Sequence, residues 1–501
     1  MAPRPPTEDD IRDLGDQLHL DLSPAEVADF TELVTDGLAS YETVRELGRV
    51  SRPTTTRERG PGHRVREGDP LNAWITACTV QGADDGPLAG WDVAVKDNVA
   101  VAGVEMTCGS QVVEGYVPNH DATVVDRLLD AGATVIGKTN MDDMAFTGNG
   151  HSSAFGPTLN PHDPAYLSGG SSGGSAIAVA TGEADVAVGA DQGGSIRVPA
   201  AWCGVVGHKP THGLVPYTGI VGIENTIDHV GPLAPDVETA AKTLGVMAGK
   251  DPDDPRQPET VPVADYADEL TGDPTDLAVA VLEEGFTRPE ADDDVNDAVR
   301  GTLDALADAG ATVDEVAFPW HDDAVDVYSV ALAEATYAAM TGEGLGHNWK
   351  GWYNTQWADA FGKFRREQGG DLPPSVKYTL LLGAYTSEAY HSTYYAEAMN
   401  LRTELTAAYD DLLAEYDLLA MPTTPQLPHE WVPDQDRFAF LDDAWGSLAN
   451  CSPFNATGHP ALSVPAGTVD GLPVGVMFVG AAFDDATVLD AGRAVETLTD
   501  D

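Results

Sequence analysis

The sequence predicts an α/β fold: a largely parallel or mixed sheet with helices on both faces, preceded by an N-terminal helical region and interrupted by a second helical region. Three observations predict it. A helix, Gly turn and strand unit, ATVVDRLLDAGATVIGKTN (122–140), recurs as NDAVRGTLDALADAGATVDEVAF (296–318). Short apolar runs, WDVAV (91–95) and LAVAVLEEGF (277–286), have the length and β-branched content of buried strands. The chain has 501 residues, 42% of them hydrophobic, enough for one large α/β unit with insertions or for two to four domains. Alternation of helices and strands favours a parallel or mixed sheet over separate all-α and all-β domains.

The elements follow in order. Residues 7–50 read as helices. Thr7 caps a run opening Glu8-Asp9-Asp10, and Ser23 caps a second helix that begins at Pro24. Residues 51–70, SRPTTTRERGPGHRVREGDP, read as a linker. Seven of the 27 basic residues fall between Arg45 and Arg66. In so acidic a chain this run predicts electrostatic ties between linker and body, in preference to a nucleic-acid site. Residues 1–84 are therefore assigned to an N-terminal helical domain with its linker, and 85–319 to the first part of a large α/β domain. Residues 320–415 are helical and rich in aromatics, including Tyr328, Tyr337, Trp349, Trp352, Tyr353, Trp357, Phe361 and Phe364. They form either an inserted cap lining an apolar pocket or the core of an ordinary helical subdomain. Residues 416–501 return to strand and turn texture and complete the large domain.

Charge narrows the function classes. Asp and Glu number 81 against 27 Lys and Arg, a formal net charge of −54. Such a surface repels nucleic acid and anionic membranes, so neither is an expected partner. It fits a solvated surface in molar salt, where the screening length falls to about 3 Å. The four cysteines, Cys78, Cys108, Cys203 and Cys451, are scattered and form no CxxC pair, which predicts a reducing cytoplasm and no disulfide framework; no metal site is expected. The N-terminus lacks an apolar signal core, and no run of about 18 apolar residues exists.

Three stretches carry candidate chemistry. Lys96 ends the apolar run VAVK, where alternation turns it to the opposite side from Asp97. It is one of only eight lysines. Burial lowers a lysine pKa and can leave a neutral base; a paired or snorkelling structural lysine is the other reading. YLSGGSSGGSAIAVATG (166–182) sends a Gly/Ser loop into an apolar helix, whose first N–H groups are free to meet a ligand. It lacks the Lys of a phosphate-binding P-loop. In DQGGSIRVP (191–199), Ser195 follows two glycines in a turn whose N–H groups can point at one developing oxyanion, and Asp191 and Arg197 flank it as a pair. Alone, this is also readable as a Gly-rich turn.

Together, Lys96, the GGSSGGS loop and DQGGSIRVP resemble the amidase signature family in order, spacing and flanking residues. The resemblance covers residues 85–320 most strongly and returns in MPTTP (421–425) and in NATGHPALSVPAG with GLPVGV (455–476). It implies an α/β/α domain around a mixed sheet and hydrolysis of a carboxylic amide to acid and ammonia without a cofactor. It further implies Lys96 as base, Ser171 as a bridging serine after a cis Gly170–Ser171 peptide, and Ser195 as nucleophile. The backbone N–H groups of Gln192, Gly193, Gly194 and Ser195 would form the oxyanion hole, with Gly170, Ser172, Asp191 and Arg197 supporting the loops. Within the family, VVGHKPTHGLVPYTGI, TIDHVGPLAP and the helical N-terminus are similar to the broad-specificity amidases associated with nitrile hydratase, which implies a homodimer acting on small aliphatic or aromatic amides. The charge suggests a halophilic, archaeal version.

Two enzyme alternatives arise. Gly170 to Gly174 also spells GxSxG with Ser172 as nucleophile, which would require a downstream acid and His429 or His459. The glutaminase component of a tRNA-dependent amidotransferase shares the Ser–Ser–Lys set; the long N-terminal extension and the aromatic region favour a free-standing hydrolase. A binding protein with a retired site is disfavoured because all three residues of the set are present.

Overall fold

The structure is a computed structural model that describes residues 3–48, 57, 59–65, 67–346 and 350–499. The chain divides into two compact units, Met1–Thr54 and Thr55–Asp501. Among its described residues the first holds two helices, Glu8–Gln17 and Pro24–Glu46. Thr7 and Ser23 each accept from the third residue of the helix they open and receive that residue's carboxylate in return, Asp10 and Glu26 respectively.

The second unit is built on one sheet whose strands, in chain order, are β1 (His63–Arg64), β2 (Trp74–Gln81), β3 (Asp92–Lys96), β4 (Thr134–Thr139), β5 (Val186–Asp191), β6 (Val206–Lys209), β7 (His229–Ala234), β8 (Ala278–Leu282), β9 (Thr312–Val316), β10 (Leu418–Pro422), β11 (Ala461–Val469) and β12 (Leu472–Gly480). Their spatial order is β1-β2-β4-β3-β5-β7-β6-β11-β12-β10-β8-β9. The trio β4-β3-β5 and the trio β10-β8-β9 are parallel, while the pairs between them are antiparallel, so the sheet is mixed. Residues 63–84 thus do not stay with the N-terminal helices: β2 pairs antiparallel with β4 and β1 with β2 at the sheet edge, and in β2 buried Cys78 and Val80 alternate with exposed Thr79 and Gln81, the pattern of a half-buried strand.

Side-chain alternation distributes the strands between two apolar layers. Val93, Val95, Val186 and Val188 pack with Val124, Leu128 and Leu129 of helix Thr123–Asp130 and with Leu244 of helix Val237–Met247. Ala94 and Ala187 face the other way, against Ala176 and Ile177 of helix Gly173–Ala180 and Ala200 of helix Arg197–Cys203. Alanines on this face let the second pair of helices approach closely. The two DAGATV copies end helices Thr123–Asp130 and Asp293–Asp308 alike: Gly132 and Gly310 take φ of 96° and 119°, and the chain re-enters the sheet as β4 and β9.

Among the described residues of 320–413 lie four α-helices, Trp320–Thr341, Thr355–Gln368, Pro374–Tyr390 and Thr393–Leu413, carried in the same compact unit as the sheet. Phe361 and Tyr328 are buried there among Met106, Met144 and Val376. Trp349 lies outside the described residues. The linker arginines reach the body as ion pairs: Arg57 with Asp130, Arg59 with Asp121, and Arg64 with Glu105 at 2.9 Å and Glu114 at 3.3 Å. Arg49, Arg52 and Arg66 lie outside the described residues.

Candidate active site

Lys96 is the last residue of β3 and shares the face of Ala94, so it points toward the N-terminus of helix Gly173–Ala180. There the Gly/Ser loop meets it: Lys96 Nζ donates to Ser171 Oγ at 2.8 Å and to the Ala190 carbonyl at 3.0 Å. The lysine is fully buried. Desolvation pulls its pKa down to about 7, against the opposing pull of the Asp142 and Asp191 carboxylates. Asp97 turns to the other side, where it pairs with buried Lys138 at 3.1 Å.

The loop that presents Ser171 has little freedom. The Gly170–Ser171 peptide is cis. Gly170 N–H donates to the Gly148 carbonyl at 2.9 Å, and Ser171 O accepts from Asp142 N–H at 3.3 Å. A Cβ at Gly170 would fall 1.9 Å from Asp142 Oδ2, so only glycine fits. Asp142 is itself held by the N–H groups of Gly150 and Ser152 and by the Ser152 hydroxyl. Ser172 ties this loop to the next: its hydroxyl donates to Ala190 O at 3.1 Å, and its N–H donates to the Ser195 carbonyl at 3.1 Å. That bond occupies the Ser172 hydroxyl. His459 pairs with Asp410 and His429 packs on Trp202, so the GxSxG reading lacks a base at Ser172.

Ser195 sits in the turn between β5 and helix Arg197–Cys203 and is 3% exposed. Among the described residues no hydrogen bond joins the Ser171 and Ser195 hydroxyls. The turn is braced by Asp191, whose carboxylate accepts from Gly194 N–H at 2.7 Å, Ile196 N–H at 3.0 Å, Arg197 Nη2 at 3.0 Å and Asn455 Nδ2 at 2.9 Å. Burial alone would raise the Asp191 pKa; the Arg197 charge and these donors outweigh it and hold it well below the usual carboxylate range. Arg197 also donates to the Cys451 carbonyl and to Asn455 Oδ1.

The brace corrects one expectation. The Gly194 N–H, assigned to an oxyanion hole, is committed to Asp191. Among the described residues, the N–H groups of Gln192, Gly193 and Ser195 donate to no protein acceptor. Gly193 lies against helix Trp320–Thr341, where a Cβ would come within 2.5 Å of Tyr328 Oη. Sequence reasoning missed Asp142 and assigned no role to Asn455, although Asn455 opens one of the stretches that carried the resemblance. Tyr328 was visible only as part of an aromatic-rich segment.

Tyr217, the hydrogen-bond partner of the Gln192 side chain, lines a cavity of about 470 Å³. Met106, Met144, Trp352, Tyr353, Trp357 and Phe361 form its apolar lining, while Tyr337 and Phe364 do not contribute. Its one cationic lining residue among the described residues, Arg256, is clamped by Asp254 at 2.6 Å and stacks on Tyr217, 4.6 Å from the ring centre. Lys96, Ser171 and Ser195 do not line it; Tyr217 does, and its hydroxyl accepts from Gln192 Nε2 at 2.7 Å.

Comparison with known proteins places this geometry in context. The chain is 47% identical over 430 residues to an enantioselective amidase of Rhodococcus rhodochrous, covering 84% of this chain and 82% of that protein. It is 44% identical over 431 residues to a glutamyl-tRNA(Gln) amidotransferase subunit of Halobacterium salinarum, covering 85% of this chain and 99% of that one. The fold is similar to the crystal structure of the corresponding amidotransferase subunit from Thermotoga maritima, with TM-score 0.69, 31% identity and coverage of 86% and 88% of the two chains. It is also similar to the native peptide amidase of Stenotrophomonas maltophilia, with TM-score 0.68, 30% identity and coverage of 83% and 84%. The family model described as Amidase matches residues 73–489, and the chain belongs to that family.

Proposed function

We propose that the protein is a free-standing amidase that hydrolyses simple carboxylic amides through an acyl-enzyme on Ser195. The observation that carries this reading is the 2.8 Å bond from buried Lys96 to Ser171, with the lysine pKa lowered to about 7. A neutral amine in that position can accept a proton. Rotation of the Ser195 side chain toward Ser171 completes the relay. Ser195 Oγ attacks the carbonyl carbon while its proton passes to Ser171 and the proton of Ser171 passes to Lys96. The oxyanion is met by N–H groups of Gln192, Gly193 and Ser195, each such donor being worth about 3 kcal/mol. The proton returns to the amide nitrogen, the C–N bond breaks and ammonia leaves. Water then adds to the ester under the same base, releasing the acid and restoring Ser195. The cavity behind Tyr217 would receive an uncharged aliphatic or aromatic acyl group, in the manner of the nitrile-hydratase-associated amidases.

The test is ammonia release from benzamide and labelling by a fluorophosphonate. Ser195→Ala should abolish both, and persistence of either in that variant overturns the assignment of the nucleophile.

A second reading follows from the 44% identity to the Halobacterium salinarum protein, in which this chain would be a glutaminase that works within an amidotransferase assembly. Turnover of benzamide by the isolated chain, without ATP or a partner, decides against it. A homodimer is supported by helix Pro24–Glu46, which exposes Phe30, Leu33, Val34, Tyr41 and Val44 at helical spacing. A reducing, cytoplasmic setting is supported by four free, buried cysteines. Among the described residues no helix is long and apolar enough to cross a membrane.

A further inference from the structure

We propose that Tyr217 is a positioning residue that orients the anion-binding turn by holding the side chain of Gln192; this rests on the reading of Ser195 as the acylated residue. The turn has an uneven distribution of restraints. From Gly194 onward it is fixed by the Asp191 carboxylate, through the N–H groups of Gly194 and Ile196. Before it, the Asp191–Gln192 peptide is held by Asn455, whose Nδ2 donates to the Asp191 carbonyl at 3.0 Å; between the two, the Gln192–Gly193 peptide forms no hydrogen bond among the described residues, and Gly193 adds a flexible backbone. The Gln192 side chain is 2% exposed and has one polar partner: Nε2 donates to the Tyr217 hydroxyl at 2.7 Å, while Oε1 is buried with none. That bond fixes the carboxamide, and through the Gln192 Cα it restrains the Gln192–Gly193 peptide and so the direction of the Gly193 N–H.

Tyr217 is suited to the task because it is itself immobile. Its N–H donates to Asp254 Oδ2 at 2.8 Å, and the Arg256 guanidinium, held by the same carboxylate, covers its ring. Its hydroxyl lies 3.5 Å from the Val221 carbonyl, which directs the phenolic proton away from Gln192 and leaves the oxygen free to accept. Tyr217 also lines the cavity, so the wall that would contact the acyl group and the turn that would contact the oxyanion share one hydrogen bond. The position of the oxyanion donors is thereby tied to the position of the acyl wall.

The experiment uses the full chain with benzamide as substrate and phenylboronic acid as a tetrahedral-anion mimic. Tyr217→Phe removes one oxygen and leaves the ring stacking in place. It should lower kcat about fivefold to tenfold, the effect of one neutral hydrogen bond, leave KM within about twofold, and weaken phenylboronic acid by the same factor as kcat. Gln192→Leu keeps the backbone N–H and should give the same loss, and the double variant should be no worse than either single one. A KM rise with unchanged kcat would make Tyr217 a simple binding contact, and losses that multiply in the double variant would show independent roles; either overturns the inference. Ser195→Ala is measured alongside. If it retains the wild-type rate, the acyl-enzyme reading itself falls; if it is inactive while Tyr217→Phe behaves as wild type, only the positioning role falls.

Discussion

Arg197 grips Asp191 with two parallel bonds, Nε to Oδ2 at 3.1 Å and Nη2 to Oδ1 at 3.0 Å, and both side chains are fully buried. The pair is not an isolated salt bridge. The same carboxylate oxygens hold the N–H groups of Gly194 and Ile196 on either side of Ser195, so the charge pair sets the shape of the turn. Replacing Arg197 by Met leaves a buried carboxylate without its counter-charge, a change that costs about 3–5 kcal/mol in comparable buried pairs. Urea unfolding should show a loss of that size, and ammonia release should fall well beyond the loss of folded protein. A variant of unchanged stability would remove the turn-bracing role.

The pH profile follows from Lys96. If the neutral amine is the base, kcat/KM rises tenfold per pH unit below about 7, the value to which burial lowers this lysine, and levels off above it. The same shift links to stability. Between about 7 and the ordinary lysine value of 10.5, the unfolded chain binds a proton that the native state does not, so this group makes stability increase with pH across that window. Initial rates from pH 5 to 10, in constant ionic strength, provide the check. A profile flat down to pH 5 excludes Lys96 as the base.

Gly170→Ala should be severe although it adds one methyl group. Its Cβ would lie 1.9 Å from Asp142 Oδ2 and 2.7 Å from Gly150 N, two atoms already bonded to one another at 3.0 Å. Overpacking a rigid site costs about 1–3 kcal/mol or more, and here the displaced group supports the loop carrying Ser171. The expected outcome is a lower thermal midpoint together with an activity loss of at least tenfold; wild-type values for both would show that the loop can shift.

Salt should stabilise the protein. With a net charge of −54, repulsion among surface carboxylates falls as the screening length shortens from about 8 Å in 0.15 M salt to about 3 Å in 1 M. Thermal melts in KCl from 0.1 to 2 M should shift upward throughout. An unchanged midpoint would reject the reading of the surface as a halophilic adaptation.

Much of the chemistry was legible along the chain because it is local. Apolar strands that end in a glycine-rich turn, and the repeated DAGATV junction, dictate elements from a few consecutive residues. Lys96 stood out because alternation in β3 places it on the face opposite Asp97, and the structure puts it against Ser171. The assignment of residues 1–84 to a helical domain with its linker passed over β1 and β2 for the opposite reason: a half-buried edge strand such as β2 is made by its pairing with β4, which no short stretch reveals.

What the sequence by itself determined is the alternation of helix and strand, the acidic surface and the identity of the chemically distinctive residues, since all of these depend on composition and short-range periodicity. Only the tertiary structure decided which N–H groups remain free in the turn before Ser195, because Asp191 commits Gly194 and Ile196 while drawing on Arg197 and Asn455 from other elements. It likewise decided that Tyr217 meets Gln192 and that aromatics from the helical region line a cavity. The Asp191–Arg197 pair is local and was legible in the sequence, whereas Asn455 and the cavity aromatics come from segments far from the turn in the chain, and burial within a closely packed core, not local preference, selects those contacts.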